Sequence, residues 1–175
     1  MYLVNKDEMS LIIQNVVDAI CTKADELGLE EGVVTICYNE AAGSGYRCFD
    51  DSLGGDISQS FSVKDGCSFL DKIADDMEDR ELLSIAMMKI AVATELFKAS
   101  RGKQMLSSDS GIIGYSGCVM YPLTINDDLC GKIYVSVAAG TPEQSEEIAW
   151  QAYEPIINGL IACKTTNPGP DSYCR

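Results

Sequence analysis

Cysteine is the residue of this sequence whose side chain offers the most reactive chemistry. The 175-residue chain carries eight cysteines and no histidine. The absence of histidine excludes Ser-His-Asp and Cys-His catalysis, metal sites built on imidazole, and the usual proximal ligand of a haem iron. No Cys-x-x-Cys pair occurs, so zinc-finger spacing is absent as well. We therefore predict no metal site, and we expect the cysteines to be reduced, free thiols.

Two cysteines, Cys118 and Cys130, are candidates for thiol catalysis. A reactive thiolate needs a basic or helix-N-terminal setting that lowers its pKa. Cys130 has Lys132 close in sequence, but Asp127 and Asp128 precede it. These acidic neighbours oppose thiolate formation at Cys130, and the sequence assigns no catalytic residue.

The elements that must position these side chains are predicted from hydrophobic periodicity and turn residues. Their order, α-β-β-β-α-α-β-β-α, predicts an α/β (α+β) fold in which an antiparallel sheet of about five strands packs with helices. We expect one domain over 1–164 and a disordered tail over 165–175. The predicted elements are a helix over 5–28, a hairpin over 32–50, a strand over 57–63, a short helix over 69–77, a long helix over 81–102, a hairpin over 119–137 and a helix that starts after Thr141.

Local signals define several of these boundaries. Asn5 and Glu8 have the spacing of a capping box, and Thr141-Pro142-Glu143-Gln144 has a Thr cap, a proline at the first position and a glutamine at the third. Pro155 predicts a kink in the last helix. If the first hairpin turns between residues 42 and 43, Cys37 and Cys48 lie opposite each other, as two small core residues or as a pair.

The predicted helix over 81–102 is apolar nearly all round, with Lys89 as its main interruption before Glu95. Such a helix must bury two faces, either inside the domain or against another subunit. We therefore expect a homo-oligomer, a dimer or larger. Cations near its end could bind an anionic ligand, although the helix dipole favours them there in any case.

Charge excludes several classes of partner. The chain has 13 Lys and Arg against 27 Asp and Glu, a net charge of -14. This charge repels phosphate backbones and anionic lipid, so we expect neither nucleic acid nor membrane as a partner. No signal peptide or membrane span is evident in the sequence, which predicts a cytoplasmic protein.

Two segments, 121–136 and 140–149, resemble the GlcG/HbpS family, often called haem-degrading. In that family a strand that begins at a proline leads through an acidic turn to a Gly-x-Ile-x-Val-Ser strand and a Thr-Pro-Glu-Gln helix start. Here these motifs read Gly131-Lys132-Ile133-Tyr134-Val135-Ser136 and Thr141-Pro142-Glu143-Gln144. The chain departs from the pattern before the proline, where Cys118 follows Gly117, and in the longer link Val137-Ala138-Ala139 to Thr141.

The resemblance implies a profilin-like unit that assembles into dimers or larger oligomers. Some members bind haem, and some are encoded beside glycolate, propanediol or corrinoid-related enzymes. For this chain it implies a small-ligand-binding protein accessory to a metabolic pathway, with haem or another tetrapyrrole as a possible ligand. The alternatives are a non-catalytic structural oligomer and a haem-degrading or thiol-based enzyme. A glycine-rich loop is predicted over 107–117. The ligand is expected near residues 111–122 and the Lys89 helix, with Lys89, Thr94, Tyr115, Cys118, Met120, Tyr121 and Pro122 as candidate binding residues.

Overall fold

An antiparallel sheet lies at the centre of the protein in the computed structural model, which describes residues 4–41, 43, 47–53, 57–64, 67–70, 77–99, 113–115, 117–125 and 128–166. In these residues the sheet has six strands in the order β3-β2-β1-β6-β5-β4. Four strands are long, and the edge strands β3 and β4 have two and three residues. The strands are β1 (Val33–Glu40), β2 (Ile57–Ser62), β3 (Ser68–Phe69), β4 (Ile113–Tyr115), β5 (Cys118–Ile125) and β6 (Asp128–Ala138).

Helices cover both faces of this sheet. They are α1 (Lys6–Glu26), α2 (Met77–Ala99), α3 (Pro142–Ala149) and α4 (Tyr153–Thr166), with a 3-10 turn over Trp150–Ala152 between the last two. Strand residues alternate between the faces, so Val34 and Ile36 join the large core with α1, α3 and α4. Met120 and Tyr134 face α2 in a smaller core. The predicted α+β fold with an antiparallel sheet and packed helices is confirmed.

The predicted hairpin over 32–50 is wrong. β1 pairs instead with β2 on one side and β6 on the other. The Glu40 carboxylate accepts the backbone N–H groups of Cys48, at 3.1 Å, and Phe49, at 2.9 Å. Because these groups and the bond from Val4 N–H to the Cys48 carbonyl hold the segment, it forms no ladder with β1. Cys37 consequently lies opposite Ser58 and Tyr134.

The segment after β2 also differs from its prediction. Phe69, assigned to a short helix, belongs to strand β3, where its ring packs edge-on against Phe61 at 5.6 Å between centroids. Residues 71–76 of that predicted helix lie outside the described residues. The long helix α2 begins at Met77, four residues before the predicted start at Glu81.

Four cysteines contradict the expectation of free thiols. Disulfides join Cys21 to Cys67 and Cys48 to Cys130, with Cα atoms 6.3 Å and 5.9 Å apart. These separations fall within the usual range for a disulfide. Both pairs link segments distant in sequence, so spacing along the chain could not reveal them. Cys37, Cys118 and Cys163 remain thiols.

The helix starts predicted at Asn5 and Thr141 agree with the structure. Both capping boxes form, Asn5 with Glu8 and Thr141 with Gln144. The helix predicted to continue from Thr141 is divided by the 3-10 turn over Trp150–Ala152, and Pro155 lies in the first turn of α4. Helix α4 reaches Thr166, and the rest of the predicted tail, 167–175, lies outside the described residues. Among the described helices, none has the length and apolar character to cross a bilayer.

Candidate functional site

The sequence-predicted site divides between the two faces of the sheet. Lys89 and Thr94 of α2 face Cys118 and Met120 of β5 in and around the smaller core. Tyr121 is buried on the opposite face with α1 and α4. Pro122 is half-buried in β5. Tyr115 pairs with Cys118 through the β4–β5 ladder, and its side chain lies outside the described part of the structure.

Polar side chains between α2 and the sheet serve to hold the helix in place. Lys89 is 8 % exposed, and its Nζ donates to the Val137 carbonyl at 2.7 Å. The Ser136 hydroxyl donates to the Ala86 carbonyl at 2.8 Å. The hydroxyls of Thr94 and Tyr134 are 3.2 Å apart. These contacts join the helix to β6, so Lys89 and Thr94 belong to the packing between α2 and the sheet.

Burial between α2 and the sheet shifts the pKa values of Cys118 and Lys89 toward their uncharged forms. Burial raises the pKa of the Cys118 thiol to about 12, although a hydrogen bond with Ser136 and the charge of Lys89 oppose the rise. Burial lowers the pKa of Lys89. A protonated, fully buried thiol is a poor nucleophile and a poor metal ligand, since both roles need the thiolate.

Gly117, the last glycine of the predicted loop, lies at a point of close backbone approach where β5 begins. Its φ of +92° is a left-handed conformation, and a Cβ there would lie 2.7 Å from the Cβ of Ser145. Ser145 is itself fixed by hydrogen bonds with the backbone of Ala139. The glycine therefore lets β5 pack against α3. Residues 107–112 of the predicted loop lie outside the described residues.

A groove that sequence reasoning missed runs between α1 and α4, with a volume of about 790 Å³. The two helices touch at Gly159, where an added Cβ would overlap the Ile12 side chain. Small residues, Ala19 and Ala162, also line the groove and leave room between the helices. The walls carry Leu11, which is 63 % exposed, and the aromatic rings of Trp150 and Tyr153.

Polar groups of the groove come from both helices. Asn15 and Asn158 supply amides, and Glu8 and Glu154 supply carboxylates. The described lining contains no Lys or Arg. Cys163 also lines the groove, and burial, followed by the nearby Glu8 charge, raises the pKa of its thiol to about 11. The groove thus offers an apolar, aromatic and acidic surface without a thiolate.

Two signals in the sequence could have pointed to this groove. Leu11 lies outside the buried stripe of α1, and Trp150 is the sole tryptophan of the chain. Gly159 within a helix is a further sign of close packing, since glycine weakens a helix interior. Its partner Ile12 could not be identified from periodicity alone.

Comparison with known proteins gives no further indication of the site, because no family model, no curated protein and no solved structure matches the chain.

Proposed function

We propose that this chain is a small-molecule-binding protein whose ligand occupies the groove between α1 and α4. The volume of the groove carries the proposal: small-molecule sites enclose roughly 300–1,000 Å³, are lined mainly by apolar and aromatic side chains, and contain a few polar groups. The groove, at about 790 Å³, has this size and this composition.

We further propose that the chain is related to the GlcG/HbpS family and shares its profilin-like architecture. The motif that carries the resemblance spans strands β5 and β6 and the start of α3. Its Thr141 capping box and its two antiparallel strands form as the motif implies. An accessory role beside a metabolic enzyme follows from the same resemblance.

Haem, which the resemblance implies as a ligand, fits the described residues poorly. Cys118, Met120 and Tyr121, three of the candidate binding residues, are fully buried in the protein core. In the groove, Cys163 is a protonated thiol, and the Glu8 and Glu154 carboxylates would repel the acidic groups of a tetrapyrrole. Haem remains the alternative ligand, and a Soret titration of the purified protein tests it directly.

Trp150 makes the proposed function testable, because the only tryptophan of the chain lines the groove. We expect phenylbutylamine, phenylbutanol or both to change its fluorescence saturably, with one site per chain. Ala162→Phe places a ring in the groove and should weaken binding about tenfold or more. Ala91→Phe, on the exposed surface of α2, is the matched control and should bind as the original chain does. Equal binding by both variants, or no saturable response, would contradict the proposal.

A structural oligomer is the second candidate, favoured by the outer surface of α2. Ile85, Met87 and Met88 are 40 %, 44 % and 57 % exposed there. Ile85 and Met88 are three residues apart and therefore neighbours on the helix surface. Exposed apolar neighbours of this kind are found at protein interfaces. We propose that this surface pairs with α2 of another copy, while the groove between α1 and α4 stays open to ligand.

A further inference from the structure

We infer that the groove between α1 and α4 binds an organic cation with an apolar body, such as an arylalkyl amine or a quaternary ammonium compound. This inference rests on the proposed function, that the groove is the ligand site. It goes further by naming the chemical class of the ligand. Charge, aromatic rings and the apolar floor each contribute to it.

The charge of the groove selects against anions. Glu8 on α1 and Glu154 on α4 both line it, and no Lys or Arg stands among its described lining residues. The Glu8 carboxylate is held in place, because it accepts the Asn5 N–H at 2.9 Å in the capping box. A fixed carboxylate loses little conformational freedom when it meets a cation, which favours binding. The net charge of -14 adds a general attraction for cations.

Aromatic rings in the same groove favour a cation over a neutral polar group. Trp150 is half-buried and Tyr153 is exposed, and both line the groove. An ammonium over the face of a tryptophan or tyrosine is attracted by the ring's negative electrostatic face. Asn15 and Asn158 add carbonyl oxygens that can accept hydrogen bonds from a protonated amine.

The apolar part of the lining accounts for the body of the ligand. Leu11, Ile12, Pro155 and Ala162 present hydrocarbon to the groove. Burying an alkyl or aryl group against them removes apolar surface from water, which is favourable without any specific geometry. A simple inorganic cation would leave this surface wet, so an amphiphilic organic cation uses the groove better.

A set of three probes with a common body tests the charge preference: phenylbutylamine, phenylbutanol and phenylbutyrate, each followed by Trp150 fluorescence. We expect the amine to bind about tenfold tighter than the alcohol, and the carboxylate to bind most weakly. Added salt should weaken amine binding and leave alcohol binding nearly unchanged, because screening acts on charged pairs. The double variant Glu8→Gln, Glu154→Gln should lower amine affinity about fivefold, the size expected for two solvent-accessible ion pairs.

The double variant Glu30→Gln, Glu146→Gln is the matched control, since it removes the same charge from exposed positions outside the groove lining. It should bind the amine as the original chain does. Glutamine at position 8 can still close the capping box, so the groove variant should remain folded, which circular dichroism verifies. If alcohol and amine bind equally, the ligand site stands and the cation preference is overturned. If no probe gives a saturable response, both the ligand site and its preference are overturned.

Discussion

Tyr121 is a buried tyrosine whose hydroxyl has no hydrogen-bond partner within the described residues. The side chain is 1 % exposed, and burial raises its pKa well above the usual range. A buried hydroxyl without a partner loses its hydration and gains nothing in return. The sequence proposed this residue as a ligand contact, but the structure places it in the core beneath α1 and α4, on the other side of the sheet from Lys89.

Replacement of Tyr121 by Phe should therefore raise the free energy of unfolding, by about 1 kcal/mol. Urea denaturation followed by circular dichroism measures the change. Tyr134→Phe is the matched control: it removes a hydroxyl that is 3.2 Å from that of Thr94, and it should lower stability by about the same amount. A loss of stability in Tyr121→Phe as large as that of the control would show that the Tyr121 hydroxyl has a partner after all.

The packing of α1 against α4 determines the depth of the groove. Glycine at position 159 lets the Ile12 side chain reach the α4 backbone, since any Cβ there would overlap it. The two helices come from opposite ends of the chain, and each reads as an ordinary amphipathic surface helix in the sequence. Their contact is what turns the exposed Leu11 and Tyr153 into parts of one concave surface.

Gly159→Ala tests this contact. Alanine improves the intrinsic helix propensity by about 1 kcal/mol, but overpacking against Ile12 costs about 1–3 kcal/mol, so we expect a net loss of stability. Ile12→Ala removes the overlapping atoms, and the double variant should regain the helix-propensity benefit. Thermal unfolding of the four proteins gives the coupling energy, which should exceed about 0.5 kcal/mol. Purely additive effects would mean that the two helices do not meet at this position.

Elements with local causes were predictable from the sequence. The capping boxes at Asn5 and Thr141 depend on residues three apart, and both form. The hairpin over 32–50 was mispredicted because the Glu40 side chain holds the backbone of Cys48 and Phe49, and β2 takes the place of the expected partner strand.

The candidate site was only partly predictable. Alternation in β5 divides Cys118 and Met120 from Tyr121, whereas the α1–α4 groove depends on contacts between distant segments.

At the scale of the whole molecule, the exposed apolar side chains of α2 are the basis of the proposed self-association. They are Ile85, Met87 and Met88. Sedimentation should show the chain as a dimer or larger. Met88→Glu should weaken self-association by about a hundredfold, because it would bury an unpaired carboxylate at the interface. Ile161→Glu, a similar change at a residue 55 % exposed on α4, should leave the oligomer intact. A monomer at all concentrations, or equal dissociation of both variants, would contradict pairing through α2.

The central ladder between β1 and β6 joins the two halves of the chain. β1, β2 and β3 form one set of neighbouring strands, and β4, β5 and β6 form another, while the central ladder pairs Val33 with Ala138 across the intervening chain. Each set can pair locally, but the central ladder requires closure of a long loop, which is entropically costly and slow. Until it forms, β1 and β6 are unpaired edges that can bind a strand of another molecule. Synthesis on the ribosome completes β1 long before β6, so the newly made first half is the species most exposed to aggregation.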